Sequence, residues 1–461
     1  MLNAVRHGLP AVLFAAAVAA TSAKAAPAQA VAAEAAAPAP ALAPASASAS
    51  ASAPSFRVRP VDDAWRAALP IDPAAATQAY LDRLPADVVQ RSNAYFEGGY
   101  WLMLWDWAAG MAVALLLLAT RPSTALRDWA GRKLGWLPLR DAAYGAAYAA
   151  VGWLLTLPLT LYSGFVREHA YGMATQTFPA WFLDQLTVLA VNMVIGAVAV
   201  AALYAVLRRA GAAWWLWGTG VAAVFMALGA AVAPVFIQPL FNTYKPVEDG
   251  PVKTTVLAMA RANGVPVDNV FVVDASRQTT RVSANVAGLF GTAAVRLNDN
   301  LLRRSSLPEI RAVMAHEIGH YAMNHGAKML MMFTLIVMLG FLFAQWAMAR
   351  LIARLGPRWR IAGTADVASL PLLAAVFSSF MLLATPLVNS LIRVQETEAD
   401  LWSLNLAREP LGLAEVMLKL AEYRKPDPRP WEEVIFFDHP SARTRIASAM
   451  RWRQQMQASQ P

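Results

Sequence analysis

The 461-residue sequence contains no cysteine. Disulfides and thiolate metal ligands are therefore excluded, and any metal ion has to be held by histidine and carboxylate side chains. Charged residues are also scarce, at 15%, whereas hydrophobic residues make up 57%. Soluble domains contain about 25% charged and about 45–50% apolar residues. We therefore predict a mainly α, polytopic α-helical membrane protein that is embedded in the lipid bilayer.

Acidic residues are fewer than basic ones, which leaves a net charge of +9. A basic chain can bind nucleic acid. Here, however, the arginines cluster in short loops between apolar runs, and positive loops that face the cytoplasm explain this placement. We therefore expect no nucleic-acid partner.

The N-terminal 56 residues lack the composition of a folded domain. Residues 1–25 have a basic start, an apolar stretch and a small-residue cleavage site at 23–25, which predicts a signal peptide or an uncleaved first span. Residues 26–56 are nearly all alanine, proline and serine, which predicts a disordered tether.

Apolar runs of about 20 residues, the length of a bilayer crossing, follow the tether. They lie at about 100–120, 142–163, 180–207, 214–237, 329–351 and 367–391. We predict a membrane domain of four spans within 57–237, a soluble insert at 238–328, two further spans within 329–391, and a C-terminal segment, 392–461, that completes the site. Arginine-rich loops follow the first, third and fifth runs, which predicts that the insert and the C-terminal segment lie on the opposite, periplasmic side.

The most specific signal is at 316–320, where the sequence His-Glu-Ile-Gly-His is an H-E-x-x-H motif. The segment is predicted to be helical, because a capping box at 306–309 precedes apolar residues at helical spacing. Residues four apart share a helical face, so His316 and His320 point the same way, with Glu317 beside them. A lone buried histidine is more often a core residue. Two histidines flanking a glutamate, in a chain with only 6 His, favour a zinc site with Glu317 as general base.

A catalytic zinc ion takes three protein ligands and keeps an open position for water. His325 falls one position short of the spacing for a local third histidine, so we expect it at the surface or beside a ligand. Glu396 and Asp400 share a helical face at the end of the last run, whereas Glu398 points elsewhere. We predict that Glu396 binds the metal and that Asp400 orients a ligand imidazole. A solvated turn of helix is the alternative.

Two further features of the sequence bear on substrate binding. Within the insert, a helix at 250–263 and strands at 269–274 and 293–298 predict a small sheet, whose edge can receive a polypeptide as an added strand. His439, near Arg445, is a candidate for holding substrate carbonyls or stabilising an oxyanion, although capping of a surface helix is an equally good interpretation.

Together and in order, these motifs resemble those of the integral-membrane zinc endopeptidases known as type I CAAX prenyl proteases, from about Asn93 onward. Segments 165–177, 239–246 and 271–288 add to the resemblance. It implies a ring of tilted helices around a chamber, with an inserted α+β zincin-like (gluzincin) catalytic domain. It also implies one Zn²⁺ per chain held by His316, His320 and Glu396, with Glu317 as base. His439, Arg445 and Asn285 are implied to lie near the substrate backbone.

We therefore predict a membrane-embedded zinc metalloendopeptidase that binds its polypeptide substrate as an extended strand. The signal and tether are typical of a bacterial protein, which suggests membrane or envelope protein processing and quality control rather than prenylated substrates. A catalytically idle membrane chaperone or scaffold is one alternative. A transporter is another, with Asp184 and Asn192 as the polar candidates in the third run.

Overall fold

The computed structural model describes residues 57–58, 61–287 and 294–459. The predicted signal segment and tether therefore lie outside the described residues. Membrane-domain helices come first in the chain: α1 (Asp63–Ala67), α2 (Pro73–Leu81), α3 (Ala86–Ala119), α4 (Pro122–Lys133), α5 (Leu137–Leu161), α6 (Arg167–Ala170), α7 (Phe178–Ala210) and α8 (Trp214–Val232).

The insert and the C-terminal part follow these helices. Their elements are β1 (Tyr244–Pro246), α9 (Pro251–Ala262), β2 (Val270–Val273), β3 (Ala284–Ala287), β4 (Ala294–Asn298), α10 (Asp299–Arg304), α11 (Leu307–Ala322), α12 (His325–Trp359), α13 (Leu370–Ala407), α14 (Pro410–Leu420), α15 (Pro430–Phe436) and α16 (Ala442–Ala458).

Five helical stretches of the described residues are long and apolar enough to cross a membrane. The sequence predicts six runs, and the difference arises in one stretch, Phe178–Leu240, which contains two of them. There the chain leaves α7 at Gly211, whose φ of +53° lies in the left-handed region, and enters α8 after a short 3-10 turn. Glycine is suited to this position because it adopts positive φ without steric cost.

The loops predicted to be cytoplasmic lie together in the structure. Arg127, in α4 after the first span, pairs with Asp366, which precedes the last span, at 2.6 Å. Arg208, at the end of α7, pairs with buried Asp141 near the start of α5. The ends of the first, third and fifth predicted runs therefore lie on one side. Because α12 and α13 run in opposite directions, the beginning of α12 and the last turns of α13 lie on the other side.

The insert contains a four-stranded sheet in the order β1-β2-β4-β3. β2 and β4 are parallel, whereas β1 and β3 are antiparallel to their neighbours. Valines 270, 286 and 295 share the face that packs with α9 and α11 in one hydrophobic cluster. Of the described strands, only β4 pairs with β3, so the outer edge of β3 is free to bind another strand.

The helix α11 begins and continues as the sequence predicts. Ser306 and Glu309 form the capping box, and Ile310, Met314 and Ile318 are buried at helical spacing. After α11 the chain turns at Asn324, with φ of +54°, and α12 starts at His325. This short connection places the first residue of α12 next to the end of the H-E-x-x-H helix.

Candidate metal centre

The helix α11 carries the motif, and α13 lies across it. The two helices approach closely at Gly319, where an added Cβ would lie 3.0 Å from the Cβ of Trp402 in α13. Only a glycine allows this approach without a shift of the neighbouring side chain. The approach brings Glu396, two turns earlier in α13, to the histidines of α11.

Three side chains converge at this crossing. Nε2 of His316 lies 3.1 Å from Nε2 of His320. The carboxylate of Glu396 lies 3.2 Å from His316 and 3.4 Å from His320. One ligand atom from each residue lies within 4.8 Å of the others, which is the geometry of a group that can hold a metal ion.

The donor set fits a metal ion. Oε2 of Glu396 is buried and has no hydrogen-bond partner among the described residues, although an imidazole nitrogen lies 3.2 Å away. A buried carboxylate oxygen without a donor costs free energy unless a cation compensates it. Two imidazoles and a carboxylate that face one another are the protein ligands of many catalytic metal sites.

The ring nitrogen of His316 that points away from Glu396 also has a hydrogen-bond partner. This Nδ1 lies 2.9 Å from Oδ1 of Asp400, one turn beyond Glu396. Asp400 in turn accepts hydrogen bonds from Arg445 of α16, one of them at 2.8 Å. Asp400 and Arg445 are both buried. The sequence predicts Arg445 beside the substrate backbone, but its guanidinium is buried against Asp400, because α16 packs behind the site.

His320 has a different outer partner. Its Nδ1 lies 2.8 Å from Nδ1 of His325, and Nε2 of His325 lies 3.0 Å from Oε2 of Glu398. His325 is 2% exposed, so the surface alternative for it is wrong. Glu398 points away from the ligand group, as predicted, but it contacts His325. Sequence spacing gives no signal for this contact, because the two residues lie 73 positions apart.

His439 also approaches the group formed by His316, His320 and Glu396. Its Nε2 is 3.3 Å from Oε2 of Glu396, and its Nδ1 is 2.9 Å from Oδ1 of Asp438. Ser441, not His439, caps α16 by accepting a hydrogen bond from the Thr444 amide. The helix-cap alternative for His439 is therefore wrong. Arg393, which precedes Glu396 in α13, donates to the carbonyl of Phe437 and so holds the loop before His439 in place.

Asn285 lies in β3, at the free edge of the sheet. It pairs with Arg296 of β4, and its Oδ1 has no hydrogen-bond partner among the described residues. The strand β3 packs beside α11. Unpaired hydrogen-bonding groups therefore lie next to the helix that carries the histidines.

The pKa values show how charge is shared at the centre. Burial lowers the pKa of His316, but hydrogen bonds to Asp400 and Glu396 raise it more, to about 10. Burial and the neighbouring His316 lower the pKa of His320 to about 3. Of the two histidines, His316 therefore carries the additional proton, and a metal ion that binds here has to displace it. Burial raises the pKa of Glu317 to about 7, in the range suited to a general base.

A metal-binding H-E-x-x-H helix that meets a carboxylate from the last membrane helix defines an integral-membrane metalloprotease. Comparison with known families agrees with this class. The sequence profile of Peptidase family M48 matches residues 246–453. The profile described as CAAX prenyl protease N-terminal, five membrane helices, matches residues 73–243. The two matched segments adjoin and together cover most of the chain, which is therefore related along this length to the CAAX prenyl proteases.

Individual relatives agree with the family. The chain is 27% identical to the uncharacterized metalloprotease YhfN of Bacillus subtilis, over 72% of this chain and 79% of that protein. It is 35% identical to CAAX prenyl protease 1 of Saccharomyces cerevisiae, over 38% of this chain and 39% of the yeast protein. The crystal structure of S. mikatae Ste24p has the same fold, with a TM-score of 0.68 and 22% identity, over 80% of this chain and 90% of that chain. The chain is thus a multi-pass membrane metalloprotease that acts on polypeptides.

Proposed function

We propose that the protein is a zinc-dependent endopeptidase in which His316, His320 and Glu396 bind one Zn²⁺ per chain. The observation that carries the proposal is the convergence of these three residues from two helices, with ligand atoms within 4.8 Å of one another. Zinc is favoured over harder cations because two of the three ligands are imidazoles. No cysteine competes for the ion.

The residues around the proposed ligands have separate roles in catalysis. When bound, zinc lowers the pKa of a coordinated water toward about 7 and polarises the scissile carbonyl. Glu317 accepts the proton of the attacking water and passes it to the leaving amine. Nε2 of His439 lies beside Glu396, and Nδ1 lies beside Asp438; as an imidazolium, His439 donates from Nδ1 to Asp438 and from Nε2 to the oxyanion of the substrate. Asp400 and Arg445 hold His316 in place and contact no substrate.

The substrate is proposed to bind as an extended strand along β3. Two observations support this mode. The outer edge of β3 has no partner among the described strands, and Oδ1 of Asn285 is buried without a donor. A polypeptide added to this edge would satisfy the backbone groups of β3, and its amide groups would reach Asn285.

The location of the site follows from the loop charges. We propose a bacterial inner-membrane protein whose arginine-rich loops face the cytoplasm and whose metal centre faces the periplasm. The pairing of Arg127 with Asp366 supports this, because it brings two such loops together on the side opposite the site. The proposed domains are the predicted ones, with 238–328 as catalytic insert and 392–461 as the segment that completes the site. We expect no nucleic-acid partner and propose membrane or envelope proteins as substrates.

The test is a Glu317→Gln variant of the full chain, purified in detergent. We expect one zinc ion per chain in both proteins and a 10²- to 10⁴-fold lower rate of peptide cleavage in the variant, the usual contribution of a general base, about 3–5 kcal/mol. Cleavage at the parent rate by a zinc-loaded variant would refute the role of Glu317. A parent protein that binds zinc but cleaves no peptide would favour the scaffold alternative, and ion flux in liposomes would favour the transporter.

The structure itself weighs against the transporter. Asp184, the polar candidate in the third run, accepts hydrogen bonds from Gln176 at 2.6 Å and from Gln278 at 3.0 Å. Its carboxylate therefore ties the membrane domain to the insert, which explains its presence in an apolar helix.

A further inference from the structure

We infer that His325 and Glu398 are positioning residues for the metal ligand His320. They form a hydrogen-bonded chain that fixes the ring of His320 so that its Nε2 faces the metal. The inference rests on the proposed zinc site and adds two residues that the H-E-x-x-H motif does not contain.

The chain of contacts is short and begins on the outer side of the ligand ring. Nδ1 of His320 lies 2.8 Å from Nδ1 of His325, whose Nε2 lies 3.0 Å from Oε2 of Glu398. His325 is 2% exposed, whereas the side chain of Glu398 is 43% exposed. The chain therefore begins at the metal centre and ends at a carboxylate that reaches solvent.

Chemistry allows one arrangement of protons along this chain. A ring that binds a metal through Nε2 carries its hydrogen on Nδ1. His320 then donates from Nδ1 to His325, so Nδ1 of His325 is the acceptor and its hydrogen lies on Nε2. His325 in turn donates from Nε2 to Glu398, which as a carboxylate can only accept. All three groups are satisfied, and the direction of donation is set by the binding of His320 to the metal.

Each proposed histidine ligand thus has its own outer acceptor. Asp400 accepts a hydrogen bond directly from Nδ1 of His316, at 2.9 Å. Glu398 accepts from His325, which in turn accepts from Nδ1 of His320. Both acceptors follow Glu396 within four residues of α13, so one helix supplies the third ligand and the outer support of the other two. Such partners fix the tautomer and ring orientation and make the ligand nitrogen more basic.

The backbone accounts for the position of His325. The turn at Asn324, with φ of +54°, ends α11 and starts α12 at His325. Asparagine tolerates this conformation better than most residues. His325 approaches His320 from its Nδ1 side, which is opposite the nitrogen that faces Glu396. It therefore cannot act as a further ligand of the same ion.

Three substitutions test the inference in the full-length chain. His325→Leu removes both the acceptor and the donor, whereas His325→Gln keeps one of each on a side chain of similar size. Lys328→Met is the matched control, because Lys328 lies 3.4 Å from Glu398 but forms no hydrogen bond with either histidine among the described residues. Affinity for Zn²⁺ is measured by competition with a chelator, and the visible absorption of the Co²⁺-loaded protein reports the ligand geometry.

We expect His325→Leu to bind Zn²⁺ about 10–100-fold more weakly and to change the Co²⁺ spectrum, the effect usual for loss of such a partner. His325→Gln should recover most of the affinity, and Lys328→Met should bind as the parent does. Equal losses in His325→Leu and His325→Gln with an unchanged Co²⁺ spectrum would show a packing role and overturn the inference, as would unchanged affinity in both.

If His325→Leu fails to fold, Glu398→Met gives the answer, because the side chain of Glu398 is half-exposed and methionine keeps its length but removes the oxygen that accepts from Nε2 of His325. A weaker Zn²⁺ affinity in this variant supports the inference, and parent affinity overturns it. A parent protein that binds neither Zn²⁺ nor Co²⁺ would instead refute the proposed site. The two failures are therefore distinguishable.

Discussion

At the scale of single residues, the centre depends on buried charges that compensate one another. Asp400 and Arg445 are 2% and 6% exposed, and the guanidinium bonds both carboxylate oxygens. Two buried charges cost free energy to desolvate, and removal of one leaves the other without compensation.

Arg445→Met should therefore destabilise the protein strongly. We expect a loss of about 3–5 kcal/mol in the free energy of unfolding, measured by denaturant titration in detergent. The control lies two positions earlier on the same helix, where Arg443 pairs with Asp427 and the side chains are 41% and 49% exposed. Arg443→Met should cost less than about 1 kcal/mol. Similar losses in the two variants would contradict this account.

The sequence predicts residues at this scale when they share a helical face. His316 and His320 are four residues apart, as are Glu396 and Asp400, and local periodicity alone places each pair on one face. The contact of His325 with Glu398 joins two different helices. No local pattern encodes such a contact, because it depends on how the start of α12 packs against α13.

At the scale of elements, the crossing of α11 and α13 determines whether the ligands meet. A Cβ at Gly319 would lie 3.0 Å from Trp402. Gly319→Ala should force the two helices apart, cost about 1–3 kcal/mol of stability, and weaken metal binding because Glu396 retreats from the histidines. Thermal unfolding and chelator competition measure the two effects.

Gly152→Ala is the matched control for this substitution. Gly152 also lies within a helix, α5, but nothing lies within 4 Å of the position of its added Cβ. Alanine is favoured over glycine in helices by about 1 kcal/mol, so this variant should be as stable as the parent or more so. If Gly319→Ala behaved in the same way, the close crossing would not limit metal binding.

Helices were easier to predict than strands. The capping box and apolar spacing predict α11, and the strands at 269–274 and 293–298 correspond to β2 and β4. The sequence did not predict β1 and β3, which contain 3 and 4 residues. β2 is equally short, but it contains three valines, whereas β1 and β3 together contain one, so β1 and β3 form by pairing with their neighbours and have no strand signal of their own. The edge strand proposed to bind substrate is one of these two.

At the scale of the whole molecule, buried polar contacts join the membrane domain to the insert. Glu168, in α6 after the second predicted run, is 3% exposed and accepts from the hydroxyl of Tyr95 at 2.6 Å. It also pairs with Arg281, which precedes β3. The charge pair therefore fixes the segment before β3 relative to the membrane helices, a relation that composition and periodicity cannot predict.

Glu168→Gln should loosen this connection. The amide keeps the shape of the carboxylate but leaves Arg281 without its ion-pair partner, so we expect a lower unfolding temperature and earlier cleavage near 281 in limited proteolysis. Glu248→Gln, on the exposed surface of the insert, should behave as the parent does. Parent-like proteolysis of Glu168→Gln would show that other contacts suffice to hold the insert.

Removal of the metal should weaken a second connection between the insert and the membrane helices, the contact of α11 with α13. The proposed ion would join α11 of the insert to α13, and a metal ion that binds only the folded state adds to the stability of that state by mass action. At a metal concentration about 1,000 times the dissociation constant, this amounts to about 4 kcal/mol. A chelator should therefore abolish activity and lower the unfolding temperature of the parent protein, and added Zn²⁺ should restore both.

His320→Ala, which lacks one proposed ligand, should unfold at a lower temperature than the parent and respond little to chelator. If neither chelator nor Zn²⁺ changed the unfolding temperature of the parent protein, the contact between α11 and α13 would not depend on a bound ion.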